Sequence, residues 1–576
     1  MPRKIRYHWQ KPAEEAPPGQ RPFPTPFDQI ADEDGAWGND ETIESIDGPY
    51  TLQEIAMLAL SYEIRNKPDW QRKYLDPTIR AKWKEEALVW AAPKKKHDMP
   101  ALTENMIDYV LDELASHDEV AQQAPHGIRL ACFTGIYESD TLVPADLRDA
   151  LLAGVAELED NPPYGEPDWH PGSNEQVLDL VHPSLFPLRY GKTLVYDVDA
   201  SGTISSRLVK APAARAADHS CSEEFQWLPA DFEVNHNGKV KISSYINNLH
   251  PEKHKPLYLV LAGIFERFVP AFERVLSDLQ LPPTHRISFD FESVWHWHDE
   301  AEKSMPDFGD EWWDKQERWE AQRPVHLPEP EPFSMPATVQ FEPVFPLKGR
   351  KLQVIVKLAS IHLTPEKPEY PGGVWHVEGM QNEEIVASGI YYFDQENIGE
   401  STLAFRGTFD QGRLLYAQSD HRGVQQMYGI EPEGPLIQNY NAVRTSEHRA
   451  IVFPNVYQHR VSPFSLVDRS KPGYRKILCF FLVDPLKTDA GLVVSTSRVP
   501  PQQFSWLEDA VWGLPPQVLD KLPHEIWEKI LRQAAPHYMS FRKAKRVRED
   551  LMEERKYLHD ENKRIVFERP FSLCEH

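Results

Sequence analysis

Proline occupies 51 of the 576 positions, close to twice its usual share of about 5%, and no other feature restricts the fold as strongly. Each proline fixes φ and removes a backbone donor, so it ends helices and is confined in sheets to edges, strand starts and bulges. Short strands, broken elements and long connections are therefore expected. The length still allows two to four domains, or one large elaborated domain, around a sizeable core.

The formal net charge of −25 excludes a general nucleic-acid-binding surface, because binding a polyanion needs a positive field. Four cysteines, Cys132, Cys221, Cys479 and Cys574, lie far apart without a Cys-x-x-Cys pair, so neither a disulfide framework nor a thiolate zinc site is expected. The basic start "MPRKIRYHWQKPAEEAPPGQ" has no apolar stretch behind it, and nowhere do enough apolar residues run together to span a bilayer. These features point to the cytoplasm, with the nucleus as the other option, and to no membrane partner.

Residues 1–50 are rich in proline, acid and glycine and read as an extended or disordered arm. Residues 51–215 read mainly helical: Thr51 and Glu54 form a capping box ahead of Ile55, Leu58 and Tyr62. "DPTIRAKWKEEALVW" joins an aspartate cap and a first-turn proline to Ile79, Trp83 and Trp90. In 216–500, runs of β composition dominate ("GKVKISSYI", "HRISFDFESV", "GRKLQVIVKLASIHLT"), broken by one strong helix, "PLYLVLAGIFERFVPAFERVLSDL". Residues 501–576 are helical and charged. There the basic run Arg542, Lys543, Lys545, Arg546 and Arg548 is followed by Glu549, Asp550, Glu553 and Glu554, which reads as a solvated, salt-bridged helix. No repeat and no glycine-rich phosphate loop occurs.

Within the β region, "GGVWHVEGM" sets His376 and Glu378 two residues apart. If "VWHVE" is a strand, alternation sends both to one face and Trp375 and Val377 to the other. Alone, such a pair is most often a satisfied polar contact in a sheet. Downstream, "HRAIVFPNVYQHRVSPF" places His459 after a strand, a Pro-Asn turn and a strand start, and "KPGYRKILCFFLVDP" places Arg475 at the head of another strand. Two imidazoles and one carboxylate make the facial triad of non-haem iron chemistry, which leaves metal positions open for a bidentate co-substrate and dioxygen. A co-substrate such as 2-oxoglutarate chelates through its keto-acid end, and its far carboxylate then suits a forked guanidinium. By alternation Arg475 shares a face with Ile477, Cys479 and Phe481, where an unpaired cation is costly and an anionic ligand resolves the cost.

At these residues the sequence resembles the Fe(II)/2-oxoglutarate-dependent oxygenase superfamily, whose double-stranded β-helix carries a His-x-Asp/Glu, a distal His and a downstream Arg or Lys. More closely, "SYINNLHPEKHKPLY", "YPGGVWHVEGMQNEEIVASGIYYFDQENI" and "FPNVYQHRVSPFSL" look like a largely uncharacterised, mainly fungal family assigned to that superfamily, over roughly residues 50–505. The resemblance implies an α+β fold, with a double-stranded β-helix (jelly-roll) core at about 345–490 inside the 216–500 region, a helical N-terminal region and a helical C-terminal extension. It implies His376, Glu378 and His459 as Fe(II) ligands and Arg475 as the partner of the 2-oxoglutarate carboxylate. The implied activity is oxidation, hydroxylation in the first place, of an unidentified small-molecule or protein substrate by dioxygen, with release of succinate and CO2. The acidic balance favours a neutral or cationic substrate.

The carboxylate is Glu where Asp is commoner, and Ile477 stands where many members have a serine, so a hydroxyl assisting Arg475 must come from elsewhere. Tyr391 in "SGIYYFD" is the candidate, against the plainer reading of a core tyrosine. His421 and His448 are rivals to His459 but sit in polar, loop-like surroundings. His296 and His298 in "WHWHDE" read as an aromatic half-buried strand running into an acidic loop. Two other classes stay open. A cupin-type metalloenzyme acting without 2-oxoglutarate would form no succinate, and a non-catalytic binding protein on an oxygenase-like fold would retain no iron.

Overall fold

The computed structural model describes residues 17–27, 49–90, 101–198, 201–212, 220–281, 284–309, 311–335, 342–409, 411 and 414–571. Most of the arm read at 1–50, and Cys574, lie outside the described residues. The helices around the site are α1 (Leu52–Arg65), α2 (Pro77–Trp90), α3 (Glu104–Gln123), α4 (Ala145–Asp160), α5 (Lys255–Asp278), α6 (Phe291–Glu302), α7 (Pro485–Asp489) and α8 (Phe541–Asn562). Thr51 caps α1, its Oγ1 accepting the Glu54 N–H at 3.2 Å. The reciprocal half of the capping box is not made. The Glu54 carboxylate instead accepts the Arg286 backbone N–H and pairs with His285, tying α1 to the segment before α6.

The strands that matter are β1 (Arg129–Leu130), β2 (Tyr137–Ser139), β3 (Val177–Val181), β4 (Ala230–Val234), β5 (Val240–Ile242), β6 (Lys351–Leu363), β7 (Ile385–Glu396), β8 (Thr402–Thr408), β9 (Ile437–Arg444), β10 (Ala450–Pro454), β11 (Gln458–Val461) and β12 (Gly473–Val483). A nine-stranded sheet runs β1-β2-β10-β7-β12-β6-β4-β5, with β3 added along β6, and a three-stranded sheet runs β9-β8-β11. Pairing in both is antiparallel. The architecture is thus mixed helix and antiparallel sheet, and the strands form no closed barrel among the described residues. Pro454 closes β10 and Pro472 precedes β12, so prolines do bound the strands next to the site.

Alternation gives the large sheet two apolar faces. On one, Leu358, Tyr391, Phe393, Leu478 and Phe480 pack against Leu151 and Val155 of α4 and Phe265, Phe268 and Phe272 of α5. Gly389 in β7 is needed for this approach, because a Cβ there would meet the Phe268 ring at 2.8 Å. On the other, Ile355, Ile390, Tyr392, Cys479 and Phe481 share one core with Leu403 and Phe405 of β8 and Tyr440 and Val443 of β9. Of the candidate site residues, His459 and Arg475 border this second core, against Phe453 and Tyr392.

One reading from composition is corrected. "HRISFDFESV" and "WHWHDE" do not form strands: they belong to a loop and to α6, which starts where the Asp290 side chain accepts the Ser293 N–H at 2.8 Å. Phe291 and Trp295 then meet edge to face one turn apart, centroids 5.8 Å. A cap plus side chains at i and i+4 outweighs a local run of aromatic and β-branched residues. No described helix is long and apolar enough to cross a membrane.

At the end of β12, Asp484 caps α7, Oδ1 accepting the Leu486 N–H at 2.7 Å, while Oδ2 is buried with no hydrogen-bond partner among the described residues. Burial pushes its pKa up to about 6. Since this lies above the usual carboxylate value of about 4, ionised Asp484 costs stability, a cost absent below about pH 4 and growing as pH rises through about 6. Asp484→Asn keeps the cap acceptor. It is expected to stabilise the protein by on the order of 2 kcal/mol at neutral pH and to give no gain in mild acid, as read from melting temperatures across pH.

Candidate metal centre

His376 and Glu378 do not sit on a strand. Pro371 and two left-handed glycines, Gly372 (φ 85°) and Gly379 (φ 71°), bound the segment, and only a single bridge forms: His376 N–H to His459 O at 3.2 Å and His459 N–H to His376 O at 2.9 Å. A Cβ on Gly372 would lie 2.8 Å from the Val461 carbonyl oxygen, so glycine lets this loop lie against β11. Asn455, from the turn between β10 and β11, fixes the other end. Its Oδ1 accepts the Glu378 N–H at 2.9 Å, and its Nδ2 donates to the carbonyls of Glu378 at 2.9 Å and Ile385 at 3.1 Å. From the C-terminal side, His559 of α8 donates to the Trp375 carbonyl at 2.9 Å, while the Trp375 ring lies between the guanidiniums of Arg406 (4.8 Å) and Arg460 (4.6 Å).

This backbone brings three predicted residues together. Glu378 Oε1 lies 3.7 Å from His376 Nε2 and 3.4 Å from His459 Nε2, and all three donor atoms fall within 4.8 Å of one another. Both separations exceed the 2.7–3.2 Å typical of a hydrogen bond. Two ligand atoms about 2.1 Å from a metal at right angles stand about 3 Å apart, so the set fits an ion with small adjustment. His376 Nδ1 donates to the Val374 carbonyl at 2.8 Å. That fixes the tautomer and leaves Nε2 as a lone-pair donor, the usual arrangement of a metal-bound imidazole. His459 is 2% exposed, sits against Phe453 with centroids 4.8 Å apart, and has a buried Nδ1 without a hydrogen-bond partner among the described residues.

The electrostatics favour a cation. Burial opposes ionisation of Glu378, but the two imidazoles hold its carboxyl well below the usual range. Burial and the neighbouring His376 push His459 down, while for His376 the effect of burial is outweighed by Glu378, which moves it up.

Arg475 lies at the start of β12, opposite Gln395 on β7 and Ile361 on β6. It is 1% exposed, and burial pushes its pKa down. Its guanidinium donates to Gln395 Oε1 at 3.2 Å and Ser401 Oγ at 2.5 Å and lies 4.5 Å from the Phe464 ring centroid. Among the described residues no carboxylate lies within ion-pair distance of it. Tyr391 is not brought to this site. It faces α4 and α5 on the opposite side of the sheet, and Tyr392 is the tyrosine that turns towards Arg475, 5.7 Å from its ring centroid. The hydroxyl that sequence placed elsewhere is Ser401, itself 2.5 Å from Thr445 Oγ1. Its contact with Arg475 spans distant strands and leaves no local signal. Asn455 did leave one, the asparagine of the Pro-Asn turn, as did Lys357, a lone lysine inside the apolar run of β6.

The rival histidines lie elsewhere. His421 opens a short helix, and His448 contacts Arg148. His298, Asp299 and Glu302 cluster on a largely exposed part of α6. His170, Asp179 and His182 also meet within 4.8 Å; Asp179 Oδ2 is engaged by His170 (2.8 Å) and Arg548 (3.4 Å), while Oδ1 has no hydrogen-bond partner among the described residues. Arg548 corrects the picture of α8 as a wholly solvated helix: it is 2% exposed and pairs in bidentate fashion with Asp168, both contacts 2.8 Å.

The family described as "Protein of unknown function (DUF4246)" matches residues 104–510, and the one described as "Domain of unknown function DUF4246, N-terminal" matches residues 2–86. No curated protein matches the sequence. Among solved structures, the chain is similar to the Fe(II)/α-ketoglutarate-dependent dioxygenase TqaL at 12% identity and TM-score 0.21, over 44% of this chain and 66% of that one. It is similar to IDO from Bacillus thuringiensis at 11% identity and TM-score 0.15, over 24% and 47%. A third is EvdO2 from Micromonospora carbonacea var. aurantiaca complexed with 2-oxoglutarate, at 11% identity and TM-score 0.13, over 23% and 52%. The chain spans just under two thirds of the first of these proteins and about half of the other two.

Proposed function

We propose that this chain, which belongs to the DUF4246 family, is a non-haem Fe(II)/2-oxoglutarate-dependent dioxygenase, with His376, Glu378 and His459 as metal ligands and Arg475 as the partner of the far carboxylate of 2-oxoglutarate. One observation carries this reading: two imidazole nitrogens and a carboxylate oxygen converge within 4.8 Å of one another, at separations longer than a good hydrogen bond. Two imidazoles and a carboxylate meeting in this way match the donor set of a first-row metal ion. The placement of β10, β7, β12 and β6 as neighbours in one sheet, facing β9, β8 and β11 in the other, supports a double-stranded β-helix. On this reading residues from about 345 to 490 form its core within the 216–500 region, with the 51–215 and 501–576 regions around it.

Bound Fe(II) supplies the open positions at which co-substrate and dioxygen are held and the oxidising power for hydroxylation. The chain's own residues set the geometry. Glu378 contributes the negative charge, Val374 and Asn455 hold His376 and Glu378 in place, and Gln395 and Ser401 aim the Arg475 guanidinium. Ile390, Cys479 and Phe481 keep this inner face apolar. The oxidised substrate is an unidentified small molecule or protein.

Anaerobic reconstitution with Fe(II), followed by succinate measurement across a metabolite and peptide library with 2-oxoglutarate and air present, tests the reading. Stoichiometric iron and substrate-stimulated succinate are expected. An iron-loaded protein that neither binds nor consumes 2-oxoglutarate would shift the assignment to a cupin-type metalloenzyme.

A further inference from the structure

Lys357 lies in the middle of β6, inside the run "KLQVIVKLASIHL". Alternation puts it on the face of Ile355, towards the smaller sheet, and its cross-strand neighbour on β12 is Cys479. Among the described residues its ammonium has neither a hydrogen bond nor a carboxylate within ion-pair distance. The titratable groups that face it are Glu378, Cys479, Asp179 and Tyr370. Neither carboxylate pairs with it: Glu378 is shared between two imidazoles, and Asp179 turns Oδ2 to His170 and Arg548. Lys357 is only partly buried, and a lone ammonium on an otherwise apolar inner face is a ready partner for an anionic ligand.

A second cation on this inner face, Arg475, also lacks a carboxylate. It lies four residues from Cys479 along β12, which is about 13 Å of strand. On the reading above, 2-oxoglutarate satisfies Arg475 and leaves Lys357, beside Glu378, for the other reactant. Resting on that reading, we propose that Lys357 binds an oxyanion of the substrate that is oxidised, a carboxylate or a phosphate, and so selects acidic substrates. This replaces the neutral or cationic substrate suggested by overall charge. A net charge of −25 repels anions at long range, so recognition of an acid has to come from a cation inside the chamber.

The test compares the full-length protein with Lys357→Gln and Lys357→Arg. Each is titrated with acetate, inorganic phosphate and uncharged acetamide, with thermal stability as the readout, metal-free and again with Zn(II) and 2-oxoglutarate, where zinc prevents turnover. Acetate or phosphate is expected to stabilise the wild type and Lys357→Arg, with apparent affinity falling by about tenfold or more in Lys357→Gln. Acetamide is expected to act alike on all three, and Zn(II) content to stay unchanged. Preference for acetate marks a carboxylate substrate, and preference for phosphate a phosphorylated one. Oxyanions acting equally on wild type and Lys357→Gln, or no better than acetamide on wild type, would overturn the assignment. The two readings fail separately. Lys357-dependent protection in a protein that takes up neither iron nor 2-oxoglutarate keeps the anion site and removes the dioxygenase, and uptake of both without such protection does the reverse.

Discussion

Replacing Glu378 by alanine is expected to leave a folded protein that no longer retains iron. On the proposed reading Glu378 is the one anion among three metal ligands, and without it two imidazoles remain. Losing a partner that only hydrogen-bonds a ligand already weakens metal sites by about 10- to 100-fold, so loss of the anionic ligand itself should exceed about 100-fold. The fold should survive, because Asn455 holds the Glu378 main chain rather than its side chain, and the side chain makes no hydrogen bond that the loop depends on. Because the two imidazoles hold the Glu378 carboxyl well below the usual range, its removal should lower the melting temperature at neutral pH without unfolding the protein. His376→Ala is expected to behave alike, with iron content and succinate formation falling together. Metal content after anaerobic reconstitution, measured beside melting temperature, decides the matter. A folded Glu378→Ala protein with a full complement of iron would remove these three residues from the site.

The parts of the site legible in sequence were those set by local chemistry. The Pro-Asn turn before His459 and the Pro-Gly start ahead of Arg475 bound short strands that the structure contains, and the apolar run after Arg475 reads directly as β12. His376 and Glu378 were legible as residues but not as geometry. They converge through a glycine-bounded loop pinned by Asn455, which does not need the alternation of a strand. Ser401 was out of reach because its contact with Arg475 crosses 74 positions of chain. Tyr391 and Tyr392 show the sensitivity of face assignments: strands alternate with period two, and a bulge in β7 between Tyr392 and Asp394 shifts the register beside Arg475. In α6 the aromatic composition favours a strand, but the Asp290 cap and the ring pair at i and i+4 decide for a helix.

Arg475 separates an oxygenase using 2-oxoglutarate from a metalloenzyme that does not. Arg475→Ala is expected to raise the dissociation constant for 2-oxoglutarate by more than about tenfold, since losing a partly desolvated charged pair costs on the order of 2 to 5 kcal/mol. Arg475→Lys keeps the charge but not the planar fork, so a smaller loss is expected, with iron affinity nearly intact in both. A purely structural arginine would give the opposite pattern. Among the described residues the guanidinium meets Gln395, Ser401 and the faces of Phe464 and Tyr392 and no carboxylate, so its removal strands no described buried carboxylate. The stability cost should therefore stay near the roughly 0.5 to 2 kcal/mol of a cation over an aromatic face. Measuring iron content, melting temperature and 2-oxoglutarate affinity on the same proteins distinguishes the two. Unchanged 2-oxoglutarate affinity in a folded, iron-loaded Arg475→Ala protein would leave the buried guanidinium without a ligand and the cupin-type reading as the better account of the metal centre.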